Sequence, residues 1–244
     1  MSNFFTIWRR ELAACFFSPV AYVLMVAFLV VSSGTFLINV VRGGEIGEPF
    51  SVLLFESVII WLTILVTVIS MRLFAEEKRS GSLELLMTVP VTETEVVLGK
   101  FAGALSFLII VVAPVAGTVL FLAALSPNVT LEDLDFGALL GGGLMLALLA
   151  AFCVAVGLLV SLTTRNQIIA AIGSFCAVWF VLLMGWVLSI VPGVGGLADY
   201  LSAPDHLESF SRGVVDTRPV VLYVSGTVLV LFGAVRLLES SRWR

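Results

Sequence analysis

The sequence predicts an all-α membrane protein with six transmembrane helices, and three observations predict it. Hydrophobic residues make up 60% of the chain against 12% charged, and the mean hydropathy is +1.14; a soluble domain of that balance would expose apolar patches it could not hide. Six apolar runs, near 20–41, 51–71, 96–125, 137–162, 168–191 and 219–239, each reach the roughly 20 residues that a helix needs to cross a hydrocarbon core of about 30 Å. The links between the runs are short, so 1–244 reads as a single membrane domain with no soluble one attached.

Residues 3–17, NFFTIWRRELAACFF, place Phe4, Phe5, Trp8, Leu12 and Phe16 at helical spacing with Arg9, Arg10 and Glu11 between them. That pattern predicts an amphipathic interfacial helix on the inner membrane surface. The alternative is a plain extension of the first span; Ser18-Pro19 favours a break between the two. The first run is too long for the apolar region of a signal peptide, and no small-residue cleavage site follows it. The third run is the longest, with Pro114 as its expected kink.

Basic residues are retained on the cytoplasmic side. With the N-terminus inside, the inner segments hold Arg9, Arg10, Arg72, Lys78, Arg79, Lys100, Arg165, Arg236, Arg242 and Arg244, and the outer ones only Arg42, Arg212 and Arg218. Ten against three predicts both termini, and the segment Glu76–Pro90, in the cytoplasm.

The outer link from about Pro192 to Pro219 is the longest. Asp205 and Glu208 sit three apart after Pro204, as in a capping box with Asp at the cap. Leu207, Phe210 and Val214 would form the apolar side of short outer helices resting on the membrane face. His206 is the only histidine, and a lone His in a solvated loop is polar surface more often than a metal ligand, so no metal site is expected. Asn128-Val129-Thr130 fits a glycosylation acceptor, but so short a pattern recurs by chance, and Thr130 reads better as a helix cap. Cys15, Cys153 and Cys176 form no CxxC pair and read as packing residues.

Catalytic signatures are absent: no HExxH, no GxSxG, no pair of intramembrane aspartates and no GxxxxGK[ST] phosphate loop. The chain is therefore not expected to be an enzyme or to hydrolyse ATP by itself. Ion-coupled carriers place ionisable groups inside their spans, and the nearest case here is Glu56, early in the second run, where a headgroup-level carboxylate is the simpler reading. Thr63, Thr67 and Ser70 on the second run, with Gly141 to Gly143 and Gly157 on the fourth, allow close helix approach or a weakly polar lining, and small residues are common at membrane helix contacts for packing alone.

The segment EEKRSGSLELLMTVP, Glu76–Pro90, breaks the apolar sequence with three glutamates, Lys78 and Arg79. Glu76 and Glu77 suit a helix N-terminus, Gly81 offers a break, and Ser82 can cap a new short helix. That helix would carry Leu83, Leu86 and Met87 as an apolar ridge and Glu84 on another face, and would end at Pro90. A short helix of this kind fits a partner's groove; the plain alternative is a solvated charged loop.

The pattern Glu77-x-x-x-Gly81-Ser82-x-Glu84-x-Leu86-x-x-x-Pro90 resembles the cytoplasmic coupling motif of type-2 ABC exporter permeases, E-x-x-x-G-T-x-E-x-L-x-x-x-P, with Ser82 keeping the hydroxyl of the usual Thr. The order of elements is also similar: interfacial helix, six spans, the motif between spans two and three, short outer helices before span six. Residues 206–218, HLESFSRGVVDTR, are similar to the gliding-motility branch, related to the copper-maturation (nitrous oxide reductase accessory) permeases. The resemblance implies a permease domain over 1–244 in a bacterial cytoplasmic (inner) membrane. It implies a cytoplasmic ABC ATPase subunit that binds ATP and Mg, a second permease chain, identical or paralogous, and a membrane partner bearing a periplasmic domain; no cofactor bound by this chain and no nucleic acid are expected. Glu76, Glu77, Lys78, Arg79, Gly81, Ser82, Leu83, Glu84, Leu86, Met87 and Pro90 would couple the ATPase, and His206, Glu208, Phe210, Arg212 and Asp216 would face an outer partner. An ion-coupled or passive carrier and a non-transporting scaffold are the alternatives.

Overall fold

A computed structural model describes residues 3–43, 49–81, 91–125, 135–193 and 195–241, and these are helical almost throughout, with no strand among them. Six helices are long and apolar enough to cross a membrane: Pro19–Arg42, Phe50–Ser80, Glu93–Val119, Phe136–Thr163, Gln167–Ser189 and Thr217–Ser240. In chain order the elements are α1 (Asn3–Phe16), α2 (Pro19–Gly43), α3 (Phe50–Leu73), α4 (Ala75–Ser80), α5 (Glu93–Val112), a 3₁₀ turn (Ala113–Val115) and α6 (Ala116–Leu125). They continue with α7 (Phe136–Thr163), α8 (Gln167–Ser189), α9 (Gly195–Leu201), α10 (Ala203–Ser211) and α11 (Thr217–Ser241).

Local chemistry sets the boundaries. Thr92 and Glu95 form a reciprocal capping box that starts α5. The Asp135 side chain accepts from the N–H groups of Gly137 and Ala138 at the start of α7, and Asn166 does the same for Ile168 in α8. Pro114 interrupts the third span as a 3₁₀ turn between α5 and α6. Phe17 and Ser18 separate α1 from α2, in keeping with the Ser18-Pro19 break.

α3 is the centre. It touches α2, α5, α7, α8 and α10, and 72% of its spanning window is buried, against 17% for α2 and 22% for α11, so those two present mostly outward apolar faces. Small residues bring the core helices together. A side chain at Gly157 of α7 would collide with Ser70 of α3, and one at Gly142 with the Phe55 ring. Gly141 lies against the Phe210 backbone, while Gly143 has open space. The Thr63 and Thr67 hydroxyls turn back to donate to the carbonyls of Ile60 and Thr63 on their own helix, so they are satisfied locally.

The short helices of the outer link differ from expectation in two ways. α10 begins at Ala203 with Ser202 at its N-cap and Pro204 in its first turn, so Asp205 supplies first-turn charge rather than the cap, and Glu208 pairs with Arg212 at 3.0 Å instead of closing a capping box. The apolar side of α10 faces the bundle and not the membrane surface: Ala203, Leu207 and Phe210 are buried against α3, α7 and α8, while Val214 beyond the helix is exposed. Ser51 of α3 donates to the Ser211 carbonyl at 2.6 Å, and Gly185 of α8 lets the Ser202 backbone approach.

Candidate functional site: a charged junction beneath the bundle

The α3–α4 corner is built from the residues where the second run meets the first charges. α3 ends at Leu73, and Phe74 makes the corner at φ −129°, ψ −33° with its side chain fully buried. The N–H groups of Phe74 and Ala75 both donate to Ser161 Oγ of α7, at 3.2 and 3.1 Å, which satisfies donors that the interrupted helix would otherwise leave unpaired. Lys78 donates through Nζ to the Leu162 carbonyl at the end of α7, a cation at the negative end of a helix dipole. α4 carries Glu76 and Glu77 in its first turn and Lys78 and Arg79 in its last, and ends at Gly81 with φ +74°, a left-handed cap that disfavours other residues.

Glu77 is the hub. Its Oε1 accepts from Lys100 Nζ at 2.8 Å and stands 3.7 Å from the Arg10 guanidinium. Lys100 also donates to Glu11 Oε1 at 3.0 Å and lies over the Phe74 ring, 5.3 Å from its centre. Lys100 is 1% exposed, so α1, α4 and α5 meet at a buried cation held by two carboxylates. Glu77 Oε2 is buried without a hydrogen-bond partner among the described residues.

α1 is brought to this junction by two glycines. It runs parallel to α5 in steps of four residues: Asn3 beside Glu95, Ile7 over Gly99, Glu11 over Gly103. Phe16 then meets Phe107 edge-on, 5.4 Å between centres. A Cβ at either glycine would fall 2.7 Å from the α1 side chain above it, so a Gly-x-x-x-Gly stripe on α5 makes the groove that α1 fills. Trp8 donates from Nε1 to Ser106 Oγ at 3.0 Å.

Of the eleven residues that the sequence places in the coupling segment, Glu76, Glu77, Lys78, Arg79 and Gly81 lie in this junction. Ser82, Leu83, Glu84, Leu86, Met87 and Pro90 lie outside the described residues, as do Asn128 and Thr130. The sequence reading missed Arg10, Glu11, Lys100 and Ser161 as partners of the segment. Lys100 was the available signal: a cation seven residues inside the helix that forms the third span needs a counter-charge. Glu56, by contrast, is exposed on α3.

The outer residues fall into two sets. Phe210 is fully buried, and His206 is half-buried with Nδ1 3.4 Å from the Tyr223 hydroxyl of α11. Burial lowers the His206 pKa, with Asp205 and Asp216 opposing. Glu208 pairs with Arg212, and Asp216 is exposed and accepts from the Arg218 N–H at 3.0 Å. No three potential metal ligands converge among the described residues.

These features describe a multi-pass helical protein with a charged, internally braced junction where α1, α4 and α5 meet. A family profile described as ABC-2 family transporter protein matches residues 30–214, more than half of the chain. The chain belongs to the ABC-2 transporter family. It is thus an ABC-type membrane subunit, of a family whose permeases work with ABC ATPase subunits. No curated protein matches it.

Proposed function

We propose that this ABC-2 chain is the permease of a complex in which a separate cytoplasmic ATPase binds and hydrolyses ATP with Mg, and in which the segment from Glu76 to Pro90 receives the stroke. The observation that carries the reading is the junction itself. Glu77, the first residue of the motif, is braced through Lys100 to α5 and through Glu11 to α1, and the α4 corner is fastened to α7 by Ser161 and Lys78. A solvated connecting loop has no need of a buried three-helix ion network, whereas a lever needs a stiff root.

In this reading Ser82, Glu84 and Pro90 belong to the docking segment, and Leu83, Leu86 and Met87 supply apolar contact to the ATPase. A displacement of that segment reaches α4, then α5 and α1 by one route and α7 by another. Two permease chains, identical or paralogous, pair in a bacterial inner membrane with both termini cytoplasmic, α1 lying at the inner interface. The polar outer residues Glu208, Arg212 and Asp216 then face a partner bearing a periplasmic domain, as in a gliding-motility-type complex, and the work is export or mechanical action on that partner.

The test is purification of the tagged chain from its native cells in mild detergent, with identification of its partners and assay of nucleotide turnover. A nucleotide-binding subunit in stoichiometric amount, lost on Leu86→Asp, is the expected result. Recovery of the chain alone, stable and without turnover, overturns the reading in favour of a carrier or scaffold.

A further inference from the structure

α4 has two flanks. One is the Glu77–Lys100 network with α1 and α5. The other is the end of α7: Ser161 Oγ accepts from the N–H groups of Phe74 and Ala75, Lys78 donates to the Leu162 carbonyl, and α4 touches both α7 and α8. Just past Leu162 stands Arg165, in the turn between the end of α7 at Thr163 and the start of α8 at Gln167. That turn is built without the Arg165 side chain. Thr164 Oγ1 accepts from the Asn166 N–H at 3.1 Å, and Asn166 Oδ1 accepts from the Ile168 N–H at 2.9 Å, which caps α8.

Thr163, Arg165 and Asn166 are exposed, as is Arg79 in the last turn of α4. The acids of the junction are already matched: Glu76 with Arg72, and Glu11 and Glu77 with Lys100. Neither Arg79 nor Arg165 has an ion pair among the described residues, and the Lys78 ammonium is bonded to a carbonyl rather than a carboxylate. Residues 163–167, TTRNQ, contain no acid. Arg165 is near enough to repel the Lys78 ammonium. Three cations are thus gathered on one flank of α4 with no counter-charge, an arrangement that an acidic surface laid across it would stabilise.

Interface size decides which surface that is. A stable protein–protein contact takes about 20–30 residues a side. Glu76–Pro90 falls short of that, and Glu77 and Lys78 within it are held by the bundle. A subunit seated on that segment therefore extends over its neighbours, and on the α7 flank the neighbour is the 163–167 turn. We infer, on the coupling reading above, that the cytoplasmic ATPase lays acidic side chains across Lys78, Arg79 and Arg165. The turn between the fourth and fifth spans is then a second contact beside the coupling segment. Load enters α7 and α8 at their junction as well as through α4.

The experiment immobilises the full chain in phosphatidylcholine nanodiscs and follows association of the nucleotide-binding subunit released from the wild-type complex, at low and at high salt. Arg165→Glu should slow association about tenfold at low salt. The difference should vanish near 1 M salt, where the screening length falls to about 3 Å. Thr163→Lys adds a cation to the same exposed turn at the end of α7, and should speed association about threefold, a gain that misfolding cannot produce. Equal rates for the wild type and both variants overturn the inference and leave the coupling reading in place, whereas a wild-type complex without any nucleotide-binding subunit overturns both. Retention of phosphatidylglycerol by the chain in mild detergent is measured in parallel. Its loss in Arg165→Glu, with ATPase association unchanged, assigns the cations to anionic lipid and overturns the inference.

Discussion

Replacing Lys100 with methionine removes the cation buried between Glu11 and Glu77 while keeping a side chain of similar length. Removing one partner of a buried ion pair costs about 3–5 kcal/mol, because the remaining charge stays buried without compensation. Here two carboxylates are left facing one another, but each is only partly enclosed, 16% and 14% exposed, and Arg10 stands 3.7 Å from Glu77 and takes up part of the charge. The lower end of the range, about 3 kcal/mol, is therefore expected. For a chain of this length that corresponds to a fall in Tm of about 6–12 °C, read by thermal unfolding in mild detergent. The companion variant Lys100→Met with Glu11→Gln and Glu77→Gln has no charge left to strand, and should recover more than half of the loss. An unchanged Tm in Lys100→Met, or a triple variant no more stable than the single one, would refute the assignment of the junction as an electrostatic brace.

Single positions supply three further tests. Gly81→Ala should lower stability by about 1–2 kcal/mol through its left-handed backbone alone, since a Cβ there meets nothing within 4 Å, and Gly81→Asn should lower it less; paired unfolding curves distinguish them. Gly103→Leu should cost at least about 1–3 kcal/mol by forcing α1 off α5, and the Trp8 fluorescence should shift to the red, whereas Gly34→Ala, at a site with open space, should be neutral or slightly stabilising. His206 is held below its ordinary pKa, so the folded state favours the neutral ring; its contribution is complete above about pH 6.5 and is lost as pH falls through the lower folded-state value. Unfolding measured from pH 8 to pH 5 should show that decline, and His206→Asn should flatten it.

The helical architecture was legible because each span announces itself by length and hydropathy, a signal that needs no knowledge of neighbours. The starts of the helices were legible in principle: Thr92-x-x-Glu95 is a capping box written in the sequence just before an apolar run. α10 shows where local reading fails. Asp205 and Glu208 have the right spacing for a cap, but Pro204 favours an early position in the helix, and the burial of Phe210 fixes which face turns inward. The junction was half legible. Glu76, Glu77 and Gly81 stood out as a motif, while Lys100, Glu11 and Ser161 did not. Each of these lies at least 23 residues away along the chain, and local periodicity carries no information about which distant helix will supply a counter-charge. Gly99-x-x-x-Gly103 is visible in the sequence as a packing stripe, but its partner, α1, reads by its polarity as a helix for the membrane surface.

Cross-linking from the proposed coupling segment tests the central claim most directly. Leu83→Cys, in a background where Cys15, Cys153 and Cys176 are alanine, would be treated with a short bifunctional thiol reagent in native membranes, with and without ATP. We predict a cross-link to a nucleotide-binding subunit whose yield changes with ATP. An introduced thiol at position 83 that reacts freely with water-soluble reagents, yet cross-links to no ATPase under either condition, would contradict the account.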